Sequence, residues 1–169
     1  MLGAMFLRYF VELDLPFDVA ERALLNAPED WIPGIAVGAR VRGERLLSDV
    51  GFGSALRIEK LVLVELSPAI QVETKLLLPL KWRPTGDKGL LPALEGDIEL
   101  APLGPTRTQL AMTARYTPPF GLLGRVADRG LLHRVAEATV KDFVDRVGDA
   151  LQGRLAHQPG WAVVRGLTP

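Results

Sequence analysis

The chain has 169 residues, 48% of them hydrophobic and 24% charged, with 20 Lys+Arg balanced by 20 Asp+Glu. Balanced charge removes the electrostatic case for nucleic acid or an anionic membrane surface as the main partner. Without cysteine there is no disulfide framework and no thiolate site, and the length suits one domain able to bury its own core.

The first stretch, MLGAMFLRYFVELDLP, is interrupted by Arg8, Glu12 and Asp14, so it does not read as a signal peptide. It reads as a strand over residues 5–15, with Met5, Leu7, Tyr9, Val11, Leu13 and Leu15 on one face. Pro16 stops it. PFDVAERALL then suits a short helix, and APEDWIPGIA a second helical turn that Pro33 and Gly34 break. No window approaches a membrane span, and a cytoplasmic protein without integral membrane insertion is expected.

From about residue 40 to residue 117 the hydrophobic period becomes two. The pattern predicts strands over 40–49, 54–66, 69–83, 93–101 and 107–117, separated by Gly51–Gly53, Ser67-Pro68, PTGDKG and PLGPTRT. Arg40, Arg42 and Arg45, with Glu44 among them, read as a solvated strand face. Ile70, Val72, Leu76, Leu78, Leu80 and Trp82 share a face, as do Leu94, Ile98 and Leu100, and then Leu110, Met112 and Tyr116. Glu95, Asp97, Glu99, Arg107, Gln109 and Arg115 fall on the opposite, wet side, where Asp97 and Glu99 look like solubility charge. Sheets with one wet and one dry face are antiparallel and need a cover on the dry side only.

Pro118-Pro119 ends the sheet, and GLLGRVADRGLLHRVAEATVKDFVDRVGDAL supplies the cover. A helix over 121–151 would be roughly 46 Å long at 1.5 Å per residue, enough to cross the domain. Its apolar face includes Leu122, Val126, His133, Ala136, Val140, Phe143, Val144, Val147 and Leu151. Glu137 and Lys141, and Asp142 and Arg146, have the spacing of surface ion pairs. One helix is roughly 10 Å wide, too thin to fill a curled sheet, so large side chains or a guest must occupy the remainder.

That element order, with W-x-P-G at Trp31–Gly34, LPLKW at 78–82, GDIELAPLGP at 96–105, TQL at 108–110 and HRVAEATVKDFVDRV at 133–147, resembles the START-like or SRPBCC superfamily. This superfamily includes Bet v 1-like proteins and polyketide cyclase-like proteins. The resemblance covers roughly residues 5–152 and implies an α+β helix-grip fold. In that fold a curved antiparallel sheet of about six or seven strands wraps a long C-terminal helix, with two short helices after the first strand. A single domain over 1–152 and a tail over 153–169 are expected, the tail around Trp161 being a place for partner contact or a homodimer. The resemblance implies a hydrophobic cavity and names no ligand.

Polar groups on a helix face looking into a cavity can orient a ligand or move a proton. Arg129, His133 and Glu137 recur at steps of four, and His133 and Glu137 are the candidates for catalysis. In the other reading of the same residues, Arg129 and Glu137 turn outward, Glu137 pairs with Lys141, and His133 bonds a core carbonyl. Tyr9, Trp82, Met112, Tyr116, Val140 and Phe143, with Arg129 and His133, are the candidate ligand contacts. GFGSAL lacks the third glycine of a dinucleotide loop, no G-x-S-x-G elbow exists, and two distant histidines without cysteine argue against structural zinc. Neither cofactor nor metal is expected.

The leading expectation is binding or transport of a hydrophobic small molecule of lipid, polyketide or isoprenoid type. A cyclase or dehydratase acting on such a ligand, and a protein-protein interaction module, are the alternatives.

Overall fold

The computed structural model describes residues 4–47, 62–84, 93–117 and 129–154. Strand β1 (Met5–Leu13) is followed by helices α1 (Phe17–Leu25) and α2 (Pro28–Leu47). Five strands come next: β2 (Val62–Leu66), β3 (Ile70–Val72), β4 (Lys75–Pro84), β5 (Ala93–Pro102) and β6 (Thr108–Thr117). Helix α3 (Arg129–Leu151) closes the fold. All pairings are antiparallel, in the order β1-β6-β5-β4-β2, with β3 also on β4.

The register builds a dry concave face from ordered cross-strand rows. One row runs Val11, Leu110, Leu100, Leu76, and the next runs Tyr9, Met112, Ile98, Leu78. The row beyond is Leu7, Ala114, Gly96, Leu80, Leu66, and the last is Met5, Tyr116, Leu94, Trp82, Val64. Nearly all of these side chains are buried except on the edge strands. At roughly 1.5–3 kcal/mol for each fully buried large apolar side chain, this face and its helical cover dominate the stability of the fold.

A Cβ placed on Gly96 would stand 2.3 Å from the Thr113 carbonyl oxygen and 3.0 Å from the Ala114 Cα. Only a residue without a side chain lets β5 approach β6 this closely.

Three predicted elements differ from those observed. Residues 40–47 are the end of α2 and not the start of a strand, so Arg40, Arg42 and Arg45 lie on a helix; residues 48–49 are outside the described part. Pro33-Gly34 does not break α2, so the second helix is long rather than short. An interior proline costs about 3 kcal/mol through one lost hydrogen bond and a ring clash. Against it, Ile32, Ile35, Ala36 and Ala39, at spacings of three and four, are at most 1% exposed. Burying the two isoleucines alone offsets that cost at ~1.5–3 kcal/mol each. The RVRGER alternation is too short to compete.

The strand expected over 69–83 is in fact two. Glu73 takes a left-handed backbone (φ 54), and the chain reverses between β3 and β4. Leu66 pairs with Leu80 but Ile70 pairs with Leu77, so one extra residue is accommodated between β2 and β3. A one-residue slip flips the face. Ile70 and Val72 therefore point outward, 50% and 44% exposed, and do not share the face of Leu76 to Trp82. Of the strand expected over 54–66, residues 62–66 form β2; residues 54–61, together with 121–128 of the expected helix and 155–169 of the tail, fall outside the described residues.

The convex face carries the charge, with Lys81 to Glu95 at 2.9 Å and Arg107 to Glu12 at 2.7 Å. Glu99 differs from a simple solubility charge. It is 9% exposed, and its carboxylate accepts hydrogen bonds from Lys75 Nζ at 3.1 Å and Arg8 Nη2 at 3.4 Å. Burial alone would raise its pKa, but those bonds and the two positive charges outweigh burial and hold the carboxyl below its ordinary range.

Candidate functional site

Helix α3 packs directly on side chains of the sheet at Gly148. A Cβ there would stand 3.2 Å from Leu13 Cδ2, 3.4 Å from Val11 Cγ2 and 3.6 Å from Leu110 Cδ2. The helix is seated on β1 and β6. It is flanked by α2, whose Gly38 lies beside Arg146, while α1 reaches β5. A long side chain reaches β4. Phe143, fully buried, meets the Trp82 ring edge-on with centroids 5.4 Å apart and planes at 81°.

The buried side of α3 follows two rows of four-residue steps. One is Leu132, Ala136, Val140, Val144, Gly148, and the other is Val135, Thr139, Phe143, Val147, Leu151. A step of four turns through about 400°, so each row drifts about 40° per turn around the helix. The buried band consequently winds, and a straight helical wheel misplaces its first half. Thr139 sits inside the band, its hydroxyl donating to the Val135 carbonyl at 2.7 Å.

His133 and Glu137 belong to the adjacent row, outside the band. Their side chains are 47% and 57% exposed and lie 3.1 Å apart as a pair. This corrects the placement of His133 on the apolar face, and also the alternative in which it bonds a core carbonyl. Glu137 pairs with His133 rather than with Lys141, which instead bonds Asp145. The Asp142 to Arg146 pair forms at 2.7 Å as the spacing predicts. Arg129 opens α3, and its side chain falls outside the described part.

Tyr9 lies at the rim where β1 meets α3. Half-buried, it donates its hydroxyl to Asp145 Oδ1 at 3.1 Å, and Lys141 Nζ stands 5.2 Å from its ring centroid. Hydrogen bonds to Asp145 and to Tyr9 raise the Lys141 pKa. Tyr9 therefore sits at the edge of the buried face, packed against the core with its hydroxyl bonded to Asp145.

Trp82, Met112, Tyr116, Val140 and Phe143 are all buried, at most 4% exposed, on the two surfaces that face each other. Two of them carry a polar atom, the Tyr116 hydroxyl and the Trp82 indole N–H. Among the described residues, neither the Tyr116 hydroxyl nor the Trp82 indole N–H has a hydrogen-bond partner. Burial pushes the Tyr116 phenol well above its ordinary pKa, so it stays neutral and keeps its proton.

Gly96 and Gly148, where β5 lies tight against β6 and α3 against the sheet, were not singled out from sequence. Their signal was a glycine inside a strand pattern and another inside a helix pattern. Two open depressions lie elsewhere, one of about 300 Å³ on the convex side lined by Phe6, Ser67, Pro79 and Arg115, the other beside α1 at Glu21–Asn26. Among the described residues no group of His, Asp and Glu is arranged to hold a metal, and no helix is long and apolar enough to cross a membrane.

No protein-family model matches the chain, and no curated protein matches it significantly. Solved structures do. A conserved protein from Geobacillus kaustophilus is 18% identical with a TM-score of 0.55, over 88% of this chain and 96% of that one. The Zhui aromatase/cyclase from Streptomyces sp. R1128 is 14% identical with a TM-score of 0.42, over 91% of this chain and 97% of that one. Norcoclaurine synthase from Thalictrum flavum is 13% identical with a TM-score of 0.38, over 88% of this chain and 87% of that one. At such identities the likeness is one of fold, and the first of these structures carries it. The fold implied by the START-like resemblance is the fold observed: a helix-grip α+β domain in which a curved antiparallel sheet is closed by a long C-terminal helix.

Proposed function

We propose that the protein binds a hydrophobic small molecule between the concave face and α3. The observation that carries this reading is the asymmetric seating of the helix. Its backbone lies close to β1 and β6, with Gly148 against Leu13, Val11 and Leu110, while the apolar surface of β4 is reached by a long side chain, Phe143, and is withdrawn from water. An apolar guest taken up between such surfaces gains about 25 cal/mol for each Å² removed from water. Binding or carriage fits the residues better than catalysis does. The titratable groups nominated for proton transfer, His133 and Glu137, stand on the solvent side of the helix.

Solvent extraction of the purified protein followed by mass spectrometry tests the reading. An apolar compound recovered in near-stoichiometric amount is expected, and its removal should lower the melting temperature, because a ligand that binds only the folded state stabilises it. Protein that yields no apolar compound and gains no thermal stability from added apolar molecules would refute it.

A further inference from the structure

Strand β1 ends the sheet. Among the described residues it pairs on one side only, with β6, in an unbroken register from Met5 opposite Tyr116 to Leu13 opposite Thr108. Its outward positions are Phe6, Arg8, Phe10 and Glu12, and the two phenylalanines are 67% and 54% exposed. Edge strands normally blunt themselves with proline, lysine or a bulge, because a long regular edge templates further pairing. β1 has none of these: MFLRYFVEL contains neither Pro nor Lys, and its register with β6 holds no extra residue.

The two charged residues on this edge lean back over the sheet. Arg8 donates to Thr113 Oγ1 at 3.0 Å and to Glu99 at 3.4 Å, and Arg107 donates to Glu12 at 2.7 Å. The Arg8 and Glu12 side chains are nonetheless each 50% exposed, so each can meet a second opposite charge. An isologous contact is self-complementary, since whatever one copy presents it also receives. Arg8 and Glu12 stand at equal distances on either side of Phe10, so the outward row is complementary to itself when reversed.

We propose that this edge pairs antiparallel with β1 of a second copy of the chain, about a two-fold axis at Phe10. Leu7–Leu13 of both strands form the ladder. Phe10 faces Phe10 of the partner subunit, and on either side Arg8 faces Glu12 of the partner subunit. Directly opposed aromatic pairs and opposite charges are the favourable cross-strand combinations, and like charges the unfavourable ones. Centring the ladder on Arg8 or on Glu12 would set like charges face to face. Centring it on Tyr9 would bring Lys141, whose amine stands 5.2 Å from the Tyr9 ring, towards its own copy. A one-residue shift would align the apolar row of one copy with the wet face of the other.

The pairing makes one continuous antiparallel sheet with α3 of each copy on the same side. An interface built on one strand edge is smaller than the roughly 1,600 Å² of a standard stable complex, so the dimer is weak, with a Kd on the order of 10 µM. It is independent of whether the interior holds a ligand.

Light scattering of the full chain over about 1–200 µM reads the mass, and the parent is expected to pass from monomer to dimer within that range. Phe10→Lys and Phe10→Glu each set like charges face to face at the axis, and each should raise the Kd at least about 10-fold. Mixed one to one, the two variants should associate again, because Lys in one copy then faces Glu in the other. Circular dichroism checks that each variant keeps its fold, as a position 54% exposed allows. A parent that stays monomeric at the highest concentration, as it would if another segment of the same chain covers the edge, overturns the proposal. So does a dimer indifferent to both substitutions, which would put the contact elsewhere. Variants that dissociate and stay apart when mixed would show that position 10 does not face itself, and would overturn the pairing as well.

Discussion

Gly96→Ala is expected to destabilise the protein by about 3 kcal/mol or more, at the upper end of the overpacking range. The new methyl group would be forced to 2.3 Å from the Thr113 carbonyl oxygen and 3.0 Å from the Ala114 Cα. Both obstacles are backbone atoms of the neighbouring strand, so no rotamer change relieves the contact. Either β5 and β6 separate, losing ladder hydrogen bonds, or the sheet flattens. For a chain of this length each kcal/mol shifts the melting temperature by roughly 2–4 °C, so a drop of about 6–12 °C is expected. Denaturant titration gives the free energy directly. A loss below about 1 kcal/mol would show that the close approach of β5 and β6 at Gly96 is not needed by the sheet.

The second large effect is expected from Phe143→Ala. Phe143 is fully buried and joins the helix to β4 through its edge-on contact with Trp82. Large aromatic deletions in cores cost about 3–5 kcal/mol, because the lost transfer energy adds to an incompletely collapsed cavity. Placement matters here. On the Gly148 side the helix rests directly on the sheet, whereas on the Trp82 side Phe143 makes the contact. Its removal should therefore lower stability and weaken ligand binding together. Denaturation and probe titration of the variant check both. A loss under about 1.5 kcal/mol with unchanged affinity would mean that Phe143 neither props the helix nor borders the ligand.

The alternation of Leu94, Ile98 and Leu100, and of Leu110, Met112 and Tyr116, made the sheet and its dry face legible in the sequence. So did the long amphipathic segment after Pro118-Pro119. Both signals are periodic, and burial enforces them directly. The misreadings arose where a local rule yielded to tertiary context. Pro33-Gly34 resembles a helix stop, but Ile32, Ile35 and Ala36 are buried against the rest of the fold and carry the helix through it. Ile70 and Val72 continue the alternation of Leu76 to Trp82 in sequence. The reversal at Glu73 and the one-residue slip before β3 put them on the opposite side.

The inward side of the sheet and helix was legible in part, and for the same reason. Trp82, Met112, Tyr116, Val140 and Phe143 converge because strand parity and the four-step helix rows both place them inward. His133 does not join them. The buried band on α3 winds by about 40° per turn, so a position that a wheel assigns to the apolar side emerges into solvent in the first half of the helix. Unpaired donors cannot be read from sequence at all, because whether a tryptophan or tyrosine finds a partner depends on every neighbour the fold brings to it.

The most direct test of the space under α3 is xenon pressurisation of a crystal of solvent-stripped protein, since apolar cavities that exclude water take up xenon. Ordered xenon is expected between Phe143 and Val140 of the helix and the Trp82, Leu78 and Ile98 surface of β4 and β5. Diffraction showing that surface in continuous van der Waals contact with the helix side, with no xenon between them, would contradict the account.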